Sequence, residues 1–245
     1  MKLLHLSYSK SFKDGGISSA LSNLVHIQEE RGSNSNWLAI DEIKSINRDR
    51  GAIDSIKKIN PDLIHIHGLW RAQTRIVPKI ITESNFPFLL APHGMLDPWA
   101  MNHSYWKKKI VWNLWEKKAL SEAKCIHALC REEAKIVKKV CPSTPIAIIP
   151  NGVSIPQNEF ISNIPSPWKD LIPKEKKVLL FLGRFNNKKG IAQLLEAWES
   201  ICDSSSSKNW WLVFIGYGDN GNLKKKLSRN PISRCLVFDP VFGSS

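Results

Sequence analysis

At 245 residues, with 42% hydrophobic and 23% charged residues, the chain can build a sizeable core, and disorder over most of its length is excluded. The formal net charge is +13, and it is not held in a tail: residues 1–150 carry 22 basic and 14 acidic residues, and residues 151–245 carry 13 and 8. Such a field favours anionic partners, with a solvated basic surface as the plain alternative, while five cysteines without a C-x-x-C pair argue against a disulfide framework or a zinc ribbon and for reduced thiols in the cytoplasm.

Met1–Phe12 is too short and polar for a signal peptide, and no run approaches the roughly 20 apolar residues that span a bilayer. Lys2–Tyr8 is a strand-like run, followed by the polar loop Ser9–Gly16. Ile17, Leu21, Leu24, Val25 and Gln28 then recur at helical spacing. Further strands are predicted at Trp37–Ile40, Leu63–His67, Phe88–Ala91, Cys125–Ala128 and Ile146–Ile149. Helices are predicted at His103–Leu120 and Glu132–Val140. Strands separated by helices imply parallel βαβ units in a doubly wound sheet. The Pro-rich stretch 151–176 is the expected linker between a first domain, 1–150, and a second, 177–245. The second series reads strand Val178–Leu182, helix Ile191–Ile201, strand Trp211–Ile215, helix Leu223–Leu227 and strand Leu236–Phe238. Three strands are few for a Rossmann-like domain, so this one is expected to be cut short.

Several positions could carry chemistry. Gly15 and Gly16 precede the first helix, where bare backbone amides could approach a phosphate, although G-x-G-x-x-G is absent and a plain turn fits as well. His65 and His67 alternate along one strand and so share a face. His67 leads into Gly68-Leu69-Trp70, and His93 likewise ends a strand before Gly94. Strand C-terminal ends are where open α/β sheets bind ligands. Arg184 and Lys189 flank one short strand-to-helix connection and could clamp a diphosphate, Arg by a fork and Lys as a point charge. Gly216 and Gly218 repeat a glycine turn after the next strand. Residues 105–118, YWKKKIVWNLWEKK, combine aromatic and basic residues as an anionic membrane surface would demand, or pack their Trp residues in the core with the Lys solvated.

Together, DLIHIHGLW at 62–70, APHGMLDPWA at 91–100, IPNGV at 149–153, LFLGRFNNKKGIAQLLEAW at 180–198 and GYGD at 216–219 resemble glycosyltransferase family 4, the retaining group 1 glycosyl transferases. The resemblance implies a GT-B fold: two Rossmann-like α/β domains with parallel sheets. It implies donor contacts from Gly15, Gly16, Arg184, Lys189, Gly216 and Gly218, and catalytic roles for His93, Arg184 and Lys189. The acceptor side would include His67 and Trp70. No metal or other cofactor is implied. The implied partners are a nucleotide-diphosphate sugar and a saccharide or lipid-linked acceptor, and it is residues 105–118 that would give peripheral contact at the inner membrane face. The family's later E-x7-E motif has no counterpart in 177–245, so weak or absent transfer is expected.

The competing readings are an inactive nucleotide- or membrane-binding fragment, and a metal enzyme built on His5, His65, His67 and His93. The latter lacks an acidic partner at ligand spacing. A nucleic-acid role would rest on net charge alone.

Overall fold

The structure, a computed structural model, describes residues 1–11, 16–153, 165–186, 189–218 and 220–240. It divides into two compact units, Met1–Ile155 and Pro156–Ser245.

In the first unit the elements run β1 (Lys2–Ser7), α1 (Gly16–Glu30), β2 (Asn34–Ala39), α2 (Arg48–Ile59), β3 (Leu63–His67), α3 (Ala72–Arg75), α4 (Val77–Glu83) and β4 (Phe88–Ala91). There follow α5 (Pro98–Asn102), α6 (Tyr105–Val111), a π-helical turn (Trp112–Glu116), α7 (Lys117–Glu122), β5 (Cys125–Ala128), α8 (Arg131–Val140) and β6 (Ile146–Ile148). The strands form one parallel sheet in the order β2-β1-β3-β4-β5-β6. Alternation along each strand sends Leu4, Leu6, Ile64, Ile66, Leu90 and Ile126 into one fully buried core. The intervening His5, His65 and His67 are buried as well, so both faces of the central strands are covered.

One helix departs from the sequence reading, and another carries a feature that the reading did not contain. Helix α2 was not anticipated, because Gly51 and a polar first turn obscure its Ala52, Ile53 and Ile56 stripe. Asn47 caps it by accepting from the Arg50 amide, and Gly51 is needed because a Cβ there would meet Ile43 Cγ2 at 2.8 Å. The long helix expected over His103–Leu120 runs from Tyr105 to Glu122 as α6, the π-helical turn and α7 in succession. Ser104 stands at φ 59°, and the π-helical turn then widens the helix so that Glu116 is buried.

In the second unit, β7 (Lys177–Leu182), α9 (Ile191–Ile201), β8 (Trp210–Ile215), α10 (Asn220–Arg229) and β9 (Cys235–Phe238) form a three-stranded parallel sheet ordered β7-β8-β9. Strand β8 sends Leu212 and Phe214 against Leu195 and Trp198 of α9, and Val213 and Ile215 against Ile172. Trp168 packs there too, so the described part of the expected linker, 165–176, contributes apolar side chains to this sheet's second face. All five cysteines are free thiols.

Candidate functional site

Parallel pairing brings the first unit's histidines together. In register, His5 of β1 sits beside His65 of β3, and His67 beside Ala91, two residues before His93. The rings of His65 and His67 are 4.0 Å apart between centroids, and those of His67 and His93 5.3 Å. Ring nitrogens contact one another: His5 to His67 at 3.1 Å, His67 to His93 at 3.0 Å and His127 to His65 at 3.2 Å. Burial favours the uncharged imidazole at His5, His65, His67 and His93. It holds His5 below the ordinary value, and His65 and His67 well below, with neighbouring histidines adding to the effect for those two. Burial, then His127, pushes His93 down to about 4. His5, His65 and His67 also offer nitrogens within 4.8 Å of one another, a spacing that could hold a metal ion.

His93 is held in an uncommon backbone conformation. It stands at φ 54° and Gly94 at φ 70°. The turn is anchored by Glu133 of α8, whose carboxylate accepts from the Gly94 amide at 2.6 Å and the Leu129 amide at 2.6 Å. His67, His93 and His127 line a cavity of about 250 Å³ against Leu21 and Leu24 of α1. A smaller cavity of about 100 Å³ lies between Ser9, Ser18, His67 and Arg71, at the start of α1.

Trp70, at φ 71°, donates its amide to Glu116 Oε1 at 2.5 Å, and Thr74 donates its hydroxyl to the same oxygen at 2.6 Å. Burial raises the Glu116 carboxyl to about 7, against the lowering pull of those bonds.

In the second unit, Arg184 follows β7 and Lys189 precedes α9, and both are exposed. The connection is pinned by backbone: Gly183 donates to Ile215 O at 3.0 Å and Phe185 to Tyr217 O at 2.7 Å, with a parallel bridge between Phe185 and Gly218. A Cβ at Gly216 would fall 1.8 Å from Gly183 O, and one at Gly218 2.8 Å from Phe185 O. These two glycines thus have a structural reason of their own: they let the segment bearing Arg184 lie against the end of β8.

The sequence model of Glycosyltransferase Family 4 matches residues 21–156, more than half of the chain. The chain belongs to glycosyltransferase family 4. A second model, Glycosyl transferases group 1, matches residues 164–232. Among curated proteins, an uncharacterized 41.2 kDa protein in the cps region of Klebsiella pneumoniae is 28% identical over 138 residues, covering 55% of this chain and 38% of that protein's length. Sucrose-phosphate synthase from Thermosynechococcus elongatus superposes with a TM-score of 0.74 at 14% identity, over 98% of this chain and 71% of that one. HepE of Anabaena, in complex with UDP and glucose, gives 0.66 at 14% identity, over 99% and 70%. MnaA of S. aureus, in complex with UDP, gives 0.60 at 14%, over 98% and 69%. At these identities the superpositions show the fold, which is the GT-B type that the sequence motifs implied.

Of the residues that the family resemblance pointed to, the structure brings His67 and His93 into direct contact, and sets Trp70 on the loop after β3. Arg184 and Lys189 share one connection, and Gly216 and Gly218 support it. Gly16 opens α1, while Gly15 lies outside the described residues. Sequence reasoning passed over Gln28, Glu116, His127 and Glu133. His127 carried a usable signal, since it sits in an expected strand beside other strand histidines. The bonds that tie the other three to the site span 23 to 46 residues.

Proposed function

We propose that this family member moves a sugar from a nucleotide-diphosphate sugar to a saccharide or lipid-linked acceptor, with retention at the anomeric carbon. The carrying observation is the exposed pair Arg184 and Lys189 in the β7–α9 connection. As the bond between the anomeric carbon and the diphosphate oxygen breaks, negative charge grows on the leaving group. Two cations on one backbone connection stabilise that charge more than they stabilise the intact donor. In this reading Gly15 and Gly16 offer backbone amides to the phosphate, and Gly216 and Gly218 line the nucleotide side. His93 hydrogen-bonds the transferring sugar, and His67 and Trp70 belong to the acceptor side. The reading calls for no metal, because Arg184 and Lys189 supply the charge. Replacing Arg184 by Ala should weaken binding of a nucleoside diphosphate by roughly a hundredfold in calorimetry. Unchanged binding by a folded variant would sink the assignment.

The acceptor reading extends to a membrane surface. Trp106, Ile110 and Leu114 recur four residues apart and are 73%, 61% and 64% exposed, beside exposed Lys107 and Lys109. Apolar and aromatic residues flanked by lysines suit an anionic bilayer interface. Among the described residues no helix is long and apolar enough to cross a membrane. The chain should sediment with anionic phospholipid vesicles and not with neutral ones, and Trp106→Ser with Lys107→Glu should abolish this. Equal sedimentation with both lipids would refute the contact.

A further inference from the structure

Three of the first unit's histidines form an unbroken chain that ends on Gln28 of α1. His5 Nε2 lies 2.8 Å from Gln28 Oε1, His5 Nδ1 3.1 Å from His67 Nε2, and His67 Nδ1 3.0 Å from His93 Nε2. The direction of every bond follows from its end. An amide oxygen only accepts, so the first proton sits on His5 Nε2. Ser35 donates its hydroxyl to the same oxygen at 2.9 Å, which is consistent with that orientation of the amide. A neutral imidazole carries one ring proton, so His5 Nδ1 is bare and accepts from His67 Nε2–H. By the same step His67 Nδ1 is bare and accepts from His93 Nε2–H. His93 Nδ1 is then a lone pair, and among the described residues no hydrogen bond engages it.

Neutrality of the chain is secured by burial, with His5 at 0% and His67 at 2% exposure. A parallel chain has the same polarity. His127 Nε2–H donates to Ile149 O at 2.7 Å, which leaves His127 Nδ1 to accept from His65 Nε2–H at 3.2 Å. Both chains end on oxygens that take no proton, so neither is a conduit for protons. They are devices for orienting rings.

We infer that Gln28 is a positioning residue which, through His5 and His67, fixes His93 as the Nε2–H tautomer and presents Nδ1 to the adjoining cavity as a hydrogen-bond acceptor. The ligand group it selects is a donor, a hydroxyl of the bound sugar, and an oxyanion at that point is repelled by the lone pair. The identity of that hydroxyl's owner rests on the glycosyl-transfer reading. The tautomer does not.

The test uses the full chain with ¹⁵N-labelled histidine and long-range proton–nitrogen correlation spectra, which separate protonated from bare ring nitrogens. His67 and His93 should each show one form, Nε2–H, in the unaltered chain and in Gln28→Glu, which keeps the acceptor. Gln28→Met, which removes it, should give mixed tautomers at His93. An Nδ1–H form of His93 in the unaltered chain overturns the inference, and so does a His93 signal indifferent to Gln28→Met. The first of these needs no variant to fold. Added zinc should leave the His5 and His67 signals in place. Their displacement would make His5, His65 and His67 metal ligands and overturn the chain of ring bonds. With a donor sugar in hand, Gln28→Met should lower kcat about tenfold with KM little changed, the size of one misdirected hydrogen bond, and Gln28→Glu should restore it. A responsive tautomer in a chain without transfer activity refutes the transfer reading alone, and an unresponsive one in an active enzyme refutes the positioning role alone.

Discussion

The two units handle their polar groups in opposite ways. In the first, His5, His65 and His67 are 0%, 7% and 2% exposed and are bonded by Gln28, His93 and His127 as well as by one another, so burial keeps them uncharged and the rings hold fixed directions. In the second, Arg184 and Lys189 are exposed, and what is rigid is the backbone that carries them. Buried neutral rings select a ligand by geometry, since a lone pair or a proton at a set position costs little to desolvate. Exposed cations act by field, and a close-packed glycine scaffold keeps that field in one place.

The largest effect should come from the scaffold. Gly216→Ala would force a methyl to 1.8 Å from Gly183 O, a backbone atom with nowhere to retreat. Overpacking against backbone should destabilise the second unit by about 3 kcal/mol or more, read by urea unfolding, while amide exchange in β3 stays unchanged. Equal loosening of both units would break the comparison.

Next comes acid. His93 titrates near 4 in the folded chain, against an ordinary 6.5, so the unfolded state binds more protons between those values. Stability of the first unit should therefore fall as pH drops from 6.5 to 4, by about 3 kcal/mol from His93 alone, with His5, His65 and His67 adding in the same direction. Equilibrium unfolding across that range measures it, and a flat profile would mean that the rings are hydrated rather than buried.

The smallest effect is that of substituting Glu116, whose linkage has the opposite sign. Its carboxyl titrates near 7 when folded against an ordinary 4.5, so it adds stability as pH falls from 7 to 4.5 and partly masks the histidine branch. Glu116→Gln should steepen the acid loss and stabilise the chain by about 1 kcal/mol at pH 8, where the buried carboxylate is no longer forced to ionise. The gain is held down because the new amide nitrogen would take the place of Oε2, which has no partner among the described residues. A less stable variant at pH 8 would show that the ionised carboxylate is held by partners outside the described residues.

Much of the architecture was legible in the chain. Strands Leu63–His67, Phe88–Ala91 and Cys125–Ala128 have the bounds that apolar runs suggested, and Arg184 and Lys189 lie where a strand end and a helix start put them. Helix α2 was hidden because Gly51 and polar neighbours weaken its local signal, although tertiary packing is what makes that glycine necessary. The π-helical turn after Val111 was hidden because the inward turn of Glu116 is matched by Trp70 and Thr74, more than 40 residues earlier.

The sequence by itself determined the alternation of strands and helices, the two-sheet organisation and the cationic connection after β7, since each depends on spacing along a short stretch of chain. Only the tertiary structure decided which way His93 carries its proton, and that Gly216 and Gly218 are there for backbone packing. Those outcomes depend on bonds and contacts between residues 23 to 62 positions apart, or across neighbouring strands of one sheet. Parallel crossovers bring such residues together through the register of the sheet, which no local pattern encodes.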